Sequence, residues 1–277
     1  MDTVHILLPV HNRRAVTARF IAALKAQTYR CYHLVLIDDG STDGTAEMVR
    51  SEIGSLTVIS GSGNWWWAGA LQQGYEWLRR QPVATSDLVL IINDDTEFAV
   101  DFLEHAVNLM RGTQETLLLA QSFGRSSGRL MGGGVRVDWR RLRFSPATAP
   151  QEIDCLSTRG LFLTVKAFLD LGGFYPKLLP HYLSDYEFTL RAKRRGLQLR
   201  VADSLRLEVD EKTTGFHQFE GESFRSFLKK YFARNSDANP LAWTAFIALA
   251  CPWPWKVPSW LRIWYGTGKK LLRAALA

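Results

Sequence analysis

Cysteine is scarce in this chain of 277 residues. Cys31, Cys155 and Cys251 are too few and too far apart for a disulfide framework, and no CxxC pair offers a structural zinc site. Also missing is an unbroken apolar run long enough to cross a bilayer, which takes roughly 20 residues. The nearest stretch, ANPLAWTAFIALACPWPW over 238–255, holds Pro252 and Pro254, so a helix there is expected to break after about Cys251. The opening MDTVHILLPVHNRR lacks the basic start of a secretion signal, and its apolar part ends at Pro9; the expectation is a cytoplasmic address. There is no P-loop and no HExxH, which excludes the phosphate-loop and zincin classes. Internal repeats and low-complexity tracts are absent as well.

What is present is a core-forming composition. Hydrophobic residues make up 47% and charged residues 22%, which excludes general disorder, and the length suits one to two domains. The formal charge of +7 is unevenly placed. Residues 223–277 hold nine Lys and Arg against one acid, Asp237, so that segment carries +8 and the remainder −1. Five of the ten tryptophans (Trp243, Trp253, Trp255, Trp260 and Trp264) fall in the same segment. Indoles and snorkelling cations favour a lipid headgroup layer over nucleic acid, so the basic end is expected to lie on an anionic membrane rather than span it. The rival expectation is a helical cap that packs on the body and is incidentally basic.

Along the first half, short runs that are apolar on both faces alternate with helical patterns. Residues 4–8, 34–37, 56–59 and 88–92 read as buried strands, and 15–27, 43–52 and 68–81 as helices. That alternation predicts a mostly parallel α/β sheet flanked by helices. Further on, 117–119 and 135–137 suggest strands, 140–157 a long polar loop, 160–165 another strand, and 184–195 a helix. The reading is one α/β domain over 1–222 and a basic, Trp-rich helical appendage over 223–277.

Ligands of parallel α/β sheets bind beyond the carboxyl ends of the strands. Four polar clusters fall there: Pro9 to Arg13, Asp38 to Thr45, Gly61 to Asn64, and Asn93 to Thr96. Each alone is an ordinary turn or helix cap. Together, with two adjacent pairs of acids after buried runs, they suit a hard divalent cation, Mg²⁺ or Mn²⁺, that bridges to phosphate.

LPVHNR, then IDDGSTDGT, then INDDTEF resemble the nucleotide-sugar domain of the family-2 inverting glycosyltransferases, which have the GT-A fold. GSGNWWWAGALQQGY and LPHYLSDYEFTLRAKRRG are similar to a bacterial subgroup linked to O-antigen, lipopolysaccharide or capsule assembly. The resemblance covers about residues 3–235. It implies transfer of a hexosyl, rhamnosyl or galactofuranosyl group from a UDP- or dTDP-sugar to a glycan, polyprenyl-linked, at the cytoplasmic face of the inner membrane. It places Pro9, Asn12, Asp39 and Asn64 around the nucleotide, with Asp39 accepting from the pyrimidine ring and Asp38 facing the base or supporting the loop. Asp95 matches the last position of the DXD motif as metal ligand, and Asp94 lies near the ribose or diphosphate; the first position is Asn93 here, one carboxylate fewer. His217 completes the metal shell or touches the diphosphate; the plain alternative is a solvent-facing loop histidine. Asp185 matches the general base, preceded by Ser184 where relatives have Glu. Glu187 orients the acceptor, and Arg191 holds the diphosphate or braces the loop.

Neighbouring side chains point different ways, so Trp65, Trp66 and Trp67 cannot all be core. Trp67 is expected against the sugar, and Trp66 with His181 and Tyr182 along the acceptor cleft. The chemistry is consistent with this: inverting transfer needs a base at the acceptor hydroxyl and positive charge at the leaving diphosphate. A helix N-terminus is expected to favour the ionised form of Asp185; the plain alternative is that Asp185 only caps that helix. A nucleotidyltransferase would need a basic, Gly-rich N-terminal loop, which LPVHNRR does not supply. A non-catalytic sugar- or lipid-binding protein would need no base.

Overall fold

The computed structural model describes residues 2–211 and 223–276. Strands β1 (Val4–Val10), β2 (Tyr32–Asp38), β3 (Leu56–Ser60) and β4 (Leu88–Ile91) form a parallel half-sheet in the order β3-β2-β1-β4. Alternate residues of these runs feed two cores. Ile6, Leu8, Leu34, Leu36 and Leu90 face one side, under helices α1 (Arg14–Lys25), α2 (Thr45–Glu52) and α4 (Phe102–Met110). Leu7, Val35, Ile37, Val89 and Ile91 face the other, under α3 (Trp66–Leu78), α5 (Val165–Leu171) and α6 (Ser184–Arg194). Burial on both faces is why β1, β2 and β4 read as continuous apolar runs; β3, expected to be buried as well, is the edge strand and only half-buried. In α1 the buried residues Thr17, Phe20, Ile21 and Leu24 recur at helical spacing.

Beyond β4 the sheet changes character. The short strands β5 (Thr96–Phe98) and β10 (Leu161–Thr164) and the long strands β6 (Thr116–Gly124) and β11 (Gln198–Val209) extend it as β4-β10-β6-β11-β5. β10 runs antiparallel between β4 and β6, while β11 is parallel to β6 with a bulge between Ala202 and Arg206. β7 (Leu130–Gly132) pairs with β6.

The segment 140–157 differs from the expected polar loop. β8 (Val135–Asp138) and β9 (Arg143–Pro146) make a separate antiparallel hairpin, and a single 3-10 turn covers Pro150–Glu152. The hairpin is polar in sequence because only one side of it is covered. Trp139 and Phe144 pack on Phe246 of α8 (Pro240–Ala250) at 6.0 and 5.9 Å between ring centroids, and Phe144 stacks on Tyr186 at 5.4 Å.

The C-terminal part is helical and breaks where expected, with one difference after the break. α7 (Phe224–Tyr231) and α8 are followed by α9 (Trp253–Leu276). α8 does stop before Pro252, but the prolines then begin a helix of 24 residues. Pro254 falls in its first turn, where a missing N–H costs little. Among the described residues no helix is long and apolar enough to cross a membrane.

Candidate functional site

The carboxyl ends of β1, β2 and β4 converge, and two short backbone approaches lock them. The first turn after β1 is clipped to the turn after β2: Asn12 Oδ1 accepts from Thr42 N at 2.8 Å, the Ser41 hydroxyl accepts from Asn12 N at 2.9 Å, and His11 Nδ1 lies 2.7 Å from the Asp39 carbonyl. Gly40, at φ +75, lies so close to the loop after β3 that a Cβ there would meet Gly63 N at 2.8 Å. No side chain larger than hydrogen fits at that crossing.

Asp38 and Asp39 serve this junction directly. Asp38 Oδ1 accepts from Ser41 N at 2.8 Å. The Asp39 carboxylate takes four backbone N–H groups, with Gly63 and Asn64 on Oδ1 (2.8 and 3.1 Å) and Trp65 and Trp66 on Oδ2 (2.7 and 3.2 Å). A carboxylate has about four lone-pair sites, so here its accepting capacity is committed to the start of α3. The geometry therefore makes Asp39 the clamp of the loop that carries Asn64, where sequence alone suggested an acceptor for the pyrimidine ring. Pro9 lies near the end of β1, in register with Ile37 of β2.

Asp94 and Asp95 are buried together after β4. Arg13 lies across both, 3.0 Å from Asp94 Oδ1 and 3.5 Å from Asp95 Oδ2, and the Thr17 hydroxyl donates to Asp94 Oδ2 at 2.8 Å. Burial raises the pKa of Asp94, and Arg13 opposes the rise. Among the described residues no three His, Cys, Asp or Glu side chains gather to hold a metal unaided. His217 lies outside the described residues. A site with one or two buried carboxylates fits an ion of the Mg²⁺ type, which is commonly held by that number plus the phosphates of its substrate.

Beside this junction opens a cleft of about 760 Å³. Its walls include Asn93, Trp67, Thr158, Arg159, His181, Tyr182 and Asp185, with the β8–β9 hairpin on one side. The three tryptophans separate as side-chain geometry demands. Trp65 packs towards the core, Trp67 donates from Nε1 to the Thr158 hydroxyl at 3.1 Å on the cleft wall, and Trp66 meets His181 edge-on at 6.1 Å. The Ser184 hydroxyl donates to the His181 carbonyl at 2.6 Å and so fixes the turn that presents His181 and Tyr182.

Asp185 lies in the first turn of α6, but the cap of that helix is Leu183, with φ 67. Capping is therefore not what holds Asp185 in place. Its half-buried carboxyl accepts from Tyr186 N at 2.9 Å. Desolvation pushes its pKa up to about 6, against the lowering effect of two backbone N–H groups and of Arg159. The helix N-terminus was expected to favour ionisation; burial outweighs it. The group remains ionised at neutral pH and is a stronger base than an exposed Asp.

Glu187 and Arg191 do not line the cleft. Glu187 is buried and forms a two-pronged ion pair with Arg191, at 2.9 Å on each prong. Arg191 also donates to the carbonyls of Leu171 and Gly173 and lies over the Tyr175 ring at 4.9 Å. That is a brace between α6 and the turn after α5, not a ligand for diphosphate or acceptor. The cleft instead holds Arg159, which sequence reasoning passed over. It sits just before Gly160 and β10, close enough to Asp185 to lower its pKa, and among the described residues no hydrogen bond or ion pair engages it. Only its place beside a candidate strand, at 160–165, could have drawn attention to it.

Backbone strain concentrates here. Of the described non-glycine residues with φ above zero, Asn12 (φ 49), Trp66 (φ 56) and Leu183 (φ 67) belong to the turns that build the site, and Leu142 lies in the hairpin tip.

The Glycosyl transferase family 2 model matches residues 5–147, about half of the chain. Comparison with curated protein sequences gives no match. Among solved structures, TarS of S. aureus superposes with a TM-score of 0.59 at 19% identity, covering 92% of this chain and 50% of TarS. The mannosyltransferase PcManGT from Pyrobaculum calidifontis, in complex with GDP-Man and Mn²⁺, gives 0.56 at 16% identity, covering 96% and 75%. GalNAc-T7 with UDP, GalNAc and Mn²⁺ gives 0.61 at 15% identity, covering 84% and 50%. The chain thus spans about half the length of TarS and of GalNAc-T7. At these identities the likeness establishes the fold, a GT-A arrangement of a mostly parallel sheet between helices, with a C-terminal helical part beside it.

Proposed function

The chain belongs to glycosyltransferase family 2, and on that premise we propose that it transfers a sugar from a UDP- or dTDP-sugar to a glycan hydroxyl with inversion, in the assembly of a bacterial surface polysaccharide. The observation that carries this reading is Asp185 on the cleft wall, ionised at neutral pH yet basic, with Arg159 beside it. In the reaction Asp185 takes the proton of the acceptor hydroxyl while that oxygen bonds to the anomeric carbon. The bond from that carbon to the diphosphate oxygen breaks, and the electron pair leaves with the nucleoside diphosphate. Arg159 supplies positive charge on that side of the cleft.

The turns bearing Pro9, Asn12 and Asn64 cradle the nucleotide, with Asp39 holding the last of them in shape. Trp67 walls the sugar, and Trp66, His181 and Tyr182 line the acceptor path. Asp95, which has Asp94 beside it, would hold Mn²⁺ or Mg²⁺ together with His217, the ligand that the family resemblance implies, and the ion when bound neutralises the departing diphosphate. For this, Arg13 must share the Asp94–Asp95 pair with the ion.

Thermal-shift titration with UDP, dTDP and GDP, in Mn²⁺ and in EDTA, tests the reading, because a ligand that binds only the native state raises its stability. The expected result is a shift for a pyrimidine nucleotide that needs Mn²⁺ and is lost in Asp95→Ala. Equal nucleotide affinity with and without metal in the wild type would remove Asp95 from the metal role.

A further inference from the structure

Among the described residues, nothing covers one face of α9. Trp253, Val257, Leu261, Tyr265, Leu272 and Leu276 recur at spacings of four and seven, which puts them along one stripe of a helix. All six are exposed, from 57% at Val257 to 82% at Trp253. The opposite face is the one that meets the body. Ser259 and Thr267 are buried there, Thr267 lies 3.1 Å from the Tyr231 hydroxyl, and Trp260 donates to the Thr244 carbonyl at 3.0 Å. The helix is therefore anchored through Ser259, Thr267 and the indole N–H groups of Trp260 and Trp264, and presents a separate apolar stripe outward.

Beside the stripe runs a row of cations, Arg262, Lys269 and Arg273, again seven and four residues apart and all exposed. Lys269 Nζ sits over the Tyr265 ring at 4.5 Å, at the seam between the two rows. α9 has no acid at all. A second copy of the chain is a poor occupant for this face, since isologous pairing would bring two segments of +8 together. A polyanionic surface with an apolar layer just beneath it satisfies both rows at once.

We propose that α9 lies in the headgroup layer of an anionic phospholipid bilayer, with the Trp253-to-Leu276 stripe dipping towards the acyl chains and the Arg262–Arg273 row on lipid phosphates. The contact reaches the cleft by a short route. Arg262 Nη2 donates to the Arg140 carbonyl at 3.1 Å, at the tip of the β8–β9 hairpin that walls the cleft, and Phe246 of α8 packs on the same hairpin. Helix, hairpin and cleft thus form one packed unit at the bilayer, so the acceptor class that fits is a glycan carried on a lipid anchor. That last step rests on the transferase reading; the docking does not.

Flotation of the full chain tests the docking, with vesicles of phosphatidylcholine alone and of phosphatidylcholine mixed with phosphatidylglycerol. The wild type is expected to float with the mixed vesicles only and to be partly released by high salt. Leu261→Glu, at a site 67% exposed, is expected to stay at the bottom of the gradient while melting like the wild type. The pair Lys269→Gln and Arg273→Gln is expected to weaken partitioning about thirtyfold at low salt. A wild type that fails to float, or a Leu261→Glu chain that floats as well as the wild type, overturns the proposal. So does a wild type that sediments as a dimer and becomes monomeric on Leu261→Glu without binding vesicles, which would give the stripe to a second copy. Nucleotide titration of the same Leu261→Glu protein, expected unchanged, keeps a failure of docking separate from a failure of the transferase reading.

Discussion

Replacing Asp185 by Asn should make the protein sturdier and nearly inactive at the same time. The folded state holds the Asp185 proton more tightly than an unfolded chain does, since burial lifts the pKa from the ordinary 3.8 to about 6. Ionising the group therefore costs folding free energy. The cost is absent below about pH 4, grows as the pH rises through about 6, and is complete at neutral pH. A rise of that size corresponds to about 3 kcal/mol at most, and solvent reaching the half-buried carboxyl reduces it, so about 1–3 kcal/mol is expected. Asn keeps the oxygen that accepts from Tyr186 N and has no charge to desolvate. Urea unfolding of both proteins at about pH 8 and about pH 4 should show the variant ahead at the higher pH and level with the wild type at the lower. Turnover should fall by roughly 10²–10⁴, the usual worth of a general base, with nucleotide affinity little changed. A variant less stable than the wild type at about pH 8, or a stability difference that ignores pH, would refute the argument that burial sets the basicity of Asp185.

Two further substitutions probe the surrounding framework. Asp39→Asn places an amide N–H₂ against one of the pairs of backbone N–H donors at Gly63 to Trp66, which should cost about 2–4 kcal/mol and speed hydrogen exchange across 61–66; unchanged exchange there would show that the clamp is dispensable. Arg159→Met should lower turnover and move the alkaline-rising limb of the pH–rate profile upward, because the guanidinium favours the carboxylate form of Asp185; an unmoved limb would detach Arg159 from Asp185.

How much of this was legible in the residues depended on burial. β1, β2 and β4 are covered on both faces, so their apolar runs stand out, and the polar clusters after them mark the site. β11 is covered on one face, and its alternation is interrupted by the bulge between Ala202 and Arg206, which hides it from a search for continuous runs. β5, only Thr96–Phe98, is too short for any period to show. The hairpin exposes most of its polar side chains, and its cover, Phe246, arrives from about a hundred residues further along. The pairing of Glu187 with Arg191 has the four-residue helical spacing of a brace, one of the two roles expected of Arg191, while nothing in the sequence shows that Glu187 is buried away from the cleft. The tail's composition was readable, while the effect of its prolines was not, because a proline that ends one helix can equally begin the next.

The left-handed backbone at Asn12, Trp66 and Leu183 bears on how this chain could change under selection. Asn tolerates that conformation well, but for Trp and Leu it costs on the order of 1–3 kcal/mol each, which glycine would recover. Trp66 and Leu183 open the very helices that present Trp67 and Asp185 to the cleft. A library screened for heat resistance alone would thus be drawn to glycine at Trp66 and Leu183, and its hardiest members would have loosened the two helix starts on which transfer depends.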